Sequence, residues 1–213
     1  MSLQALLPTL DPLTVVMLCG IFLFAGIVKG FLGIGLPAAA MGLLTLIIPP
    51  TEAISLLWLP ILFTNIFQFG RAPNKREIVR SYPWFAAALF ASIFLTSLFI
   101  NDYPTALLTV AIGVMMVIFS VNLLFGVTLP VGPGRGWQIG VGTLSGILGG
   151  LSSIWSPPVA MYLIARNASK DMFIGTTGFL FLVGCLPLGA GLVISGLITW
   201  PVIVKSLVGL MMT

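Results

Sequence analysis

The sequence predicts an all-α polytopic membrane protein built as an inverted repeat, and three observations carry that prediction. First, 59% of the 213 residues are apolar and only 7% are charged, with a mean hydropathy of +1.18. Soluble domains carry about a quarter charged residues. Second, apolar runs near the roughly 17–25 residues of a helical span recur along the chain, without the two-residue alternation of a transmembrane strand. Third, residues 26–43, GIVKGFLGIGLPAAAMGL, reappear as residues 146–163, GILGGLSSIWSPPVAMYL, at an offset of 120 with eight identities in 18 positions.

The apolar segments run over 13–31, 36–48, 52–70, 83–100, 103–126, 137–152, 156–166, 171–195 and 199–213. The N-terminal MSLQALLPTLDP lacks a basic region and is interrupted by Asp11-Pro12, so it does not read as a cleaved signal and the first run is expected to stay. Segments 36–48 and 156–166 are short for a bilayer core. Each follows a Gly- or Ser-rich run and begins at Pro37 or Pro157, the residue best tolerated in a first helical turn. Each therefore reads as a half-helix, spanning or re-entrant, after a break. About seven to eight transmembrane segments result.

Orientation follows from Lys and Arg in short loops. The strongly basic stretch 71–80, RAPNKREIVR, is placed in the cytoplasm. Helices 83–100 and 103–126 leave and return, which puts Arg135 inside, and an entering and returning 137–166 puts Arg166 and Lys170 there too. Traced backwards, the N-terminus lies outside, and so does the turn PPTEA with Glu52. Helix 52–70 then crosses inward and its counterpart 171–195 outward. The two copies are thus inverted, and in such folds the substrate site lies near the midplane where the broken elements meet. Repeat one covers 1–126 and repeat two 127–213. By the 120-residue period the second repeat reads as C-terminally truncated.

Broken helices in a membrane offer free backbone N–H groups and a positive dipole end, which bind anions without a formal charge. Paired breaks in corresponding halves point to a binding site. The first break runs from Lys29 through Gly30, Gly33 and Gly35 to Pro37. The second runs through Gly149, Gly150, Ser152, Ser153, Trp155 and Ser156 to Pro157, and its serines add hydroxyl donors. These residues, with Asn65 and Gln68 on the inner half of helix 52–70, form the candidate substrate site. Thr176 and Thr177 on the counterpart helix could line the same path.

Each assignment has a structural alternative. The glycines also suit close helix packing, as in Gly26-x-x-x-Gly30 and Gly142-x-x-x-Gly146-x-x-x-Gly150. Lys29 is either a membrane-embedded functional charge or a side chain that snorkels to the interface. Asn65 and Gln68 either line a path or join helices, and Trp155 is either a wall of the site or a packing residue. Glu52 and Asp171 read as first-turn acids that complement helix dipoles.

The residues that are missing narrow the function. There is no His, and Cys19 and Cys185 sit in apolar runs without partners at metal or redox spacing, so no metal, cofactor or nucleophilic triad is expected and the chain is not read as an enzyme. The five acids, Asp11, Glu52, Glu77, Asp102 and Asp171, all fall at segment ends or in loops, which gives no carboxylate relay for protons. The net charge of +4 reflects the cytoplasmic loops rather than nucleic-acid binding. The expected partners are a small inorganic or organic anion and the lipid bilayer, and a homo-oligomer is left open.

At both copies of the broken motif the chain resembles the TauE/SafE sulfite exporter family. The matching residues are Gly26, Gly30, Gly33, Gly35 and Pro37, then Pro49-Pro50-x-x-Ala53, and in the second half Gly146, Gly149, Gly150 and Pro157. The resemblance implies a duplicated seven- to eight-helix permease that exports sulfite or small organosulfonates across a bacterial plasma (inner) membrane. A transporter of a different small anion and a non-transporting membrane scaffold or subunit are the alternatives. The second copy departs from the family pattern in reading Ser152-Ser153-Ile154-Trp155-Ser156 where further glycines are usual.

Overall fold

The computed structural model describes residues 12–127, 130–132 and 134–213, and the expectations for residues 1–11 lie outside them. Ten helices make up the regular structure of the described residues: α1 Pro12–Leu32, α2 Leu36–Leu44, α3 Pro50–Gly70, α4 Lys75–Ser81, α5 Pro83–Leu98, α6 Thr105–Phe125, α7 Arg135–Ser152, α8 Ser156–Ala165, α9 Lys170–Ile194 and α10 Trp200–Met212. Each apolar run of the sequence appears as a helix with bounds shifted by a few residues. Prolines in the first turns of α2, α3, α5, α8 and α10 set these starts, because their missing N–H would lack an intrahelical partner there anyway.

Helices α1, α3, α6 and α9 are each long and apolar enough to cross a membrane, and the pair α4–α5, bent by 71°, would make a fifth span. The other segments counted from the sequence are either short, like α8 and α10, or carry their apolar face diluted by six glycines, like α7. Helix α4 departs from the sequence reading, which took 71–80 as a loop. Its seven residues are too few for a periodic signal, but Ile78 is buried against α9 beside Gly175 while the basic residues stay outward.

The core gathers around α9, the most enclosed span, which packs on α3 and α5. Helices α5 and α7 form the closest pair. A side chain at Gly142 would come within 2.9 Å of the Phe85 carbonyl, one at Gly146 within 2.9 Å of the Leu89 carbonyl, and one at Gly150 would strike Thr96. That stripe of small residues lets two backbones approach, the packing device of membrane helices.

Two prolines interrupt spans, Pro60 in α3 and Pro187 in α9. Pro60 leaves the Leu56 carbonyl without its helical donor, and the Ser206 hydroxyl of α10 donates to that oxygen at 2.6 Å. Such external repair is what makes proline tolerable in a span. Near one end of the same helix pair, Lys205 Nζ lies 3.0 Å from Glu52 Oε1, so the first-turn acid of α3 is also an ion-pair partner of α10.

Candidate functional site

The two breaks share a backbone design. Gly33 takes a left-handed φ of 70° and its N–H donates to the Lys29 carbonyl at 2.8 Å. Ser153, the equivalent residue 120 positions on, takes a φ of 61° and its N–H donates to the Gly149 carbonyl at 2.7 Å. Glycine adopts this conformation without penalty, whereas an L side chain pays for its Cβ. The first break then needs a second left-handed residue, Gly35 at φ 94°, where an added Cβ would press on the Phe119 ring. In the second break the corresponding residue is Trp155 at φ −106°. Helices α2 and α8 start immediately afterwards, each with first-turn N–H groups that have no partner within the helix.

Lys29 does not snorkel. Its side chain is 8% exposed and Nζ donates to Asn65 Oδ1 at 2.6 Å. Asn65 is held in turn by its own Nδ2, which donates to the Ile61 carbonyl at 2.7 Å. The carbonyl end of the amide is therefore presented to Lys29, and Asn65 itself is fully buried. Gln68, one turn on, reaches across to α9, where its Nε2 donates to the Ile174 carbonyl at 2.8 Å and to Thr177 Oγ1 at 3.0 Å.

Beside Lys29 lies an open groove of about 840 Å³ between α1, α3, α9 and α10. Lys29, Gly30 and Gly33 of the first break border it, with Thr64, Gln68 and Arg71 from α3 and its end, and Lys170 from the start of α9. Among the described residues no Asp or Glu lines it. Arg71 and Lys170 are exposed, and the Arg71 guanidinium stacks 4.0 Å from the centre of the Phe67 ring. The groove thus carries two exposed cations and a buried one.

The second break is sealed. Ser152, Ser153, Ile154, Trp155 and Ser156 are all buried. Ser152 is satisfied within the break: its Oγ donates to the Leu148 carbonyl at 2.6 Å and accepts from the Ile154 N–H at 3.1 Å. Ser153 Oγ, Trp155 Nε1 and Ser156 Oγ are buried with no protein partner. Buried polar atoms are nearly always paired, so three orphans in four consecutive residues call for an explanation. Phe181 of α9 stands between the two breaks. Lys29 Nζ lies 6.0 Å from its ring centre on one side, and Trp155 packs edge-on against the same ring at 6.0 Å.

A family model described as Sulfite exporter TauE/SafE matches residues 18–213. The chain belongs to that family. No curated protein and no solved structure matches it significantly. This TauE/SafE chain is accordingly a membrane transporter.

Within the TauE/SafE chain the sequence-predicted residues divide by surroundings. Lys29, Gly30, Gly33 and Gln68 border the groove, and a methyl group added at Gly30 would meet nothing within 4 Å. Gly35 and Pro37 are buried at the start of α2, and Asn65 hydrogen-bonds Lys29. Gly149 makes room for the Trp155 ring and Gly150 for Thr96, while Pro157 is buried in the first turn of α8. Thr177 meets Gln68, whereas Thr176 is buried beside Tyr82 without closing a hydrogen bond. Three contributors carried no site signal in the sequence. Arg71 and Lys170 registered only as topological charges, and Phe181 is one apolar residue among many.

Proposed function

We propose that this chain exports a small oxyanion, sulfite or a small organosulfonate, from the cytoplasm to the exterior. The observation that carries this reading is the groove, without Asp or Glu among the described residues, which runs from Arg71 and Lys170 to the buried ammonium of Lys29 at the first helix break. The membrane is a bacterial plasma (inner) membrane crossed several times, with the N-terminus outside and residues 71–80 in the cytoplasm. The groove then opens on the cytoplasmic face, where its mouth cations attract the anion. Lys29 receives it beside the free N–H groups of α2. The second station is the buried set of Ser153, Trp155 and Ser156 at the start of α8, reached past Phe181. Backbone N–H groups of the two breaks thus hold the anion from opposite repeats near the midplane.

Export of this kind needs no proton relay. With the inside negative, outward movement of one negative charge is favoured by about 2.3 kcal/mol per 100 mV. The test is sulfite efflux from proteoliposomes holding the purified chain, with and without a potassium diffusion potential. Efflux that rises when the interior is made negative supports the reading. No flux of sulfite or any other small anion overturns it.

A further inference from the structure

The charges around the candidate path bear on the valence of the anion it accepts. All nine Lys and Arg residues of the chain lie among the described residues. Lys29 is the one that lies buried; Arg71 and Lys170 at the groove mouth are exposed, and Lys205 is paired with Glu52. Beyond Lys29 the available donors are neutral: the hydroxyls of Ser153 and Ser156, the Trp155 indole and the N–H groups of α8. A single buried cation compensates a single negative charge. A dianion of the same shape would carry one further charge that only neutral donors and half-charge helix ends are left to compensate, at a greater desolvation cost than the monoanion meets.

We infer that the site selects singly charged oxyanions over doubly charged ones of similar shape, and that Asn65 is the placeholder which the anion displaces from Lys29. The inference rests on the permease reading. Asn65 Oδ1 accepts a single hydrogen bond from the ammonium, and an anion outcompetes this neutral acceptor. A carboxylate at the same position would not yield. Asn65 is thus a positioning residue that holds the Lys29 ammonium at the groove.

Methanesulfonate and sulfate provide the comparison, because both present sulfonyl oxygens and neither changes charge across the neutral pH range. Their fluxes are measured with the full chain in proteoliposomes at zero clamped potential and equal gradients, so that the greater electrical force on a dianion does not enter. At least about a tenfold preference for methanesulfonate is expected, since one uncompensated buried charge is worth more than that factor. Thr64→Lys adds a further cation to the groove wall and should move the ratio toward sulfate by about tenfold, on the same electrostatic argument. Gln68→Lys is the second variant should the first fail to fold. Asn65→Asp should abolish methanesulfonate flux while the protein still melts cooperatively.

Equal or preferential sulfate flux in the wild-type chain overturns the inference and leaves the permease reading standing. Full methanesulfonate flux in a folded Asn65→Asp overturns the placeholder role. Absence of flux for methanesulfonate, sulfate and sulfite alike overturns the permease reading, and this inference with it.

Discussion

Gly33 and Ser153, 120 residues apart, close their helices with the same left-handed backbone and the same N–H donation to the carbonyl four residues earlier. The chemical asymmetry between them has a consequence for stability. Gly33 accepts its φ freely, while Ser153 is held there by buried surroundings. Ser153→Gly relieves strain of about 1–2 kcal/mol and adds about 0.5–1 kcal/mol of unfolded-state entropy, so stability in detergent should be unchanged or raised by up to about 1.5 kcal/mol. Gly33→Val brings a β-branched side chain to φ 70° and should cost about 2 kcal/mol or more. Denaturant titration in mixed micelles reads both. A destabilised Ser153→Gly would mean that the hydroxyl, not the backbone, holds this break.

The glycines of the repeated motif separate into two kinds, and one pair of variants reads the difference. Gly146 faces the α5 backbone, whereas Gly30 faces open groove. Gly146→Ala should destabilise the chain by about 1–3 kcal/mol through overpacking against Ser92 and the Leu89 carbonyl. Gly30→Ala should leave the melting temperature unchanged or slightly higher, because alanine favours a helix over glycine by about 1 kcal/mol. Thermal melts of the two variants side by side check this. A Gly30→Ala that fails to fold would show that the groove is closed in the membrane.

This split explains how much was legible in the sequence. Hydropathy located the helices because a span must be both long and apolar, and prolines marked several of their starts. The breaks were legible because Gly and Pro punctuate backbone regardless of tertiary context. Whether a given glycine makes room for a ligand or for a neighbour depends on what lies opposite: Thr96 opposite Gly150, Trp155 opposite Gly149, groove opposite Gly30. Thr96 lies 54 positions from Gly150 and Trp155 six from Gly149, and neither leaves a mark at the glycine itself. Lys29 was ambiguous for the same reason. Its position near a helix end suits snorkelling, and only the hydrogen bond that Nζ donates to Asn65 of α3 shows where its ammonium is turned. Helix α4 escaped because seven residues, mostly polar, fall below any periodic signal.

Pro60 and Ser206 form a pair that neither residue announces alone. The hydroxyl at 2.6 Å from the Leu56 carbonyl replaces the donor that the proline removes. Ser206→Ala should cost about 1 kcal/mol, within the range found for hydrogen bonds in membrane proteins. Pro60→Ala restores the helical N–H donor, so the loss from Ser206→Ala should shrink in the double variant. A double-mutant cycle on unfolding free energy measures this coupling. A coupling of zero would mean that the serine serves α3–α10 packing alone.

The charge distribution makes the placement of the groove testable without any substrate. Under the proposed topology Arg71, Lys75 and Lys170 share the cytoplasmic face, while the Asn101–Pro104 turn after α5 lies outside. The natural cysteines do not obstruct a labelling experiment of this kind: Cys185 is buried, and Cys19 can be replaced by Ala on the apolar surface of α1. In that background, Lys75→Cys should react with an impermeant maleimide only after the cytoplasmic face is opened to the reagent, and Asp102→Cys should react in intact cells. Both sites are exposed, so reactivity reports sidedness rather than burial. The positive-inside rule that underlies the assignment counts Lys and Arg, of which residues 71–80 hold four against none in the 101–104 turn. Labelling of both cysteines from the same side would break the crossing of α5. The reverse pattern would turn the groove mouth outward and convert the proposed efflux path into one for uptake.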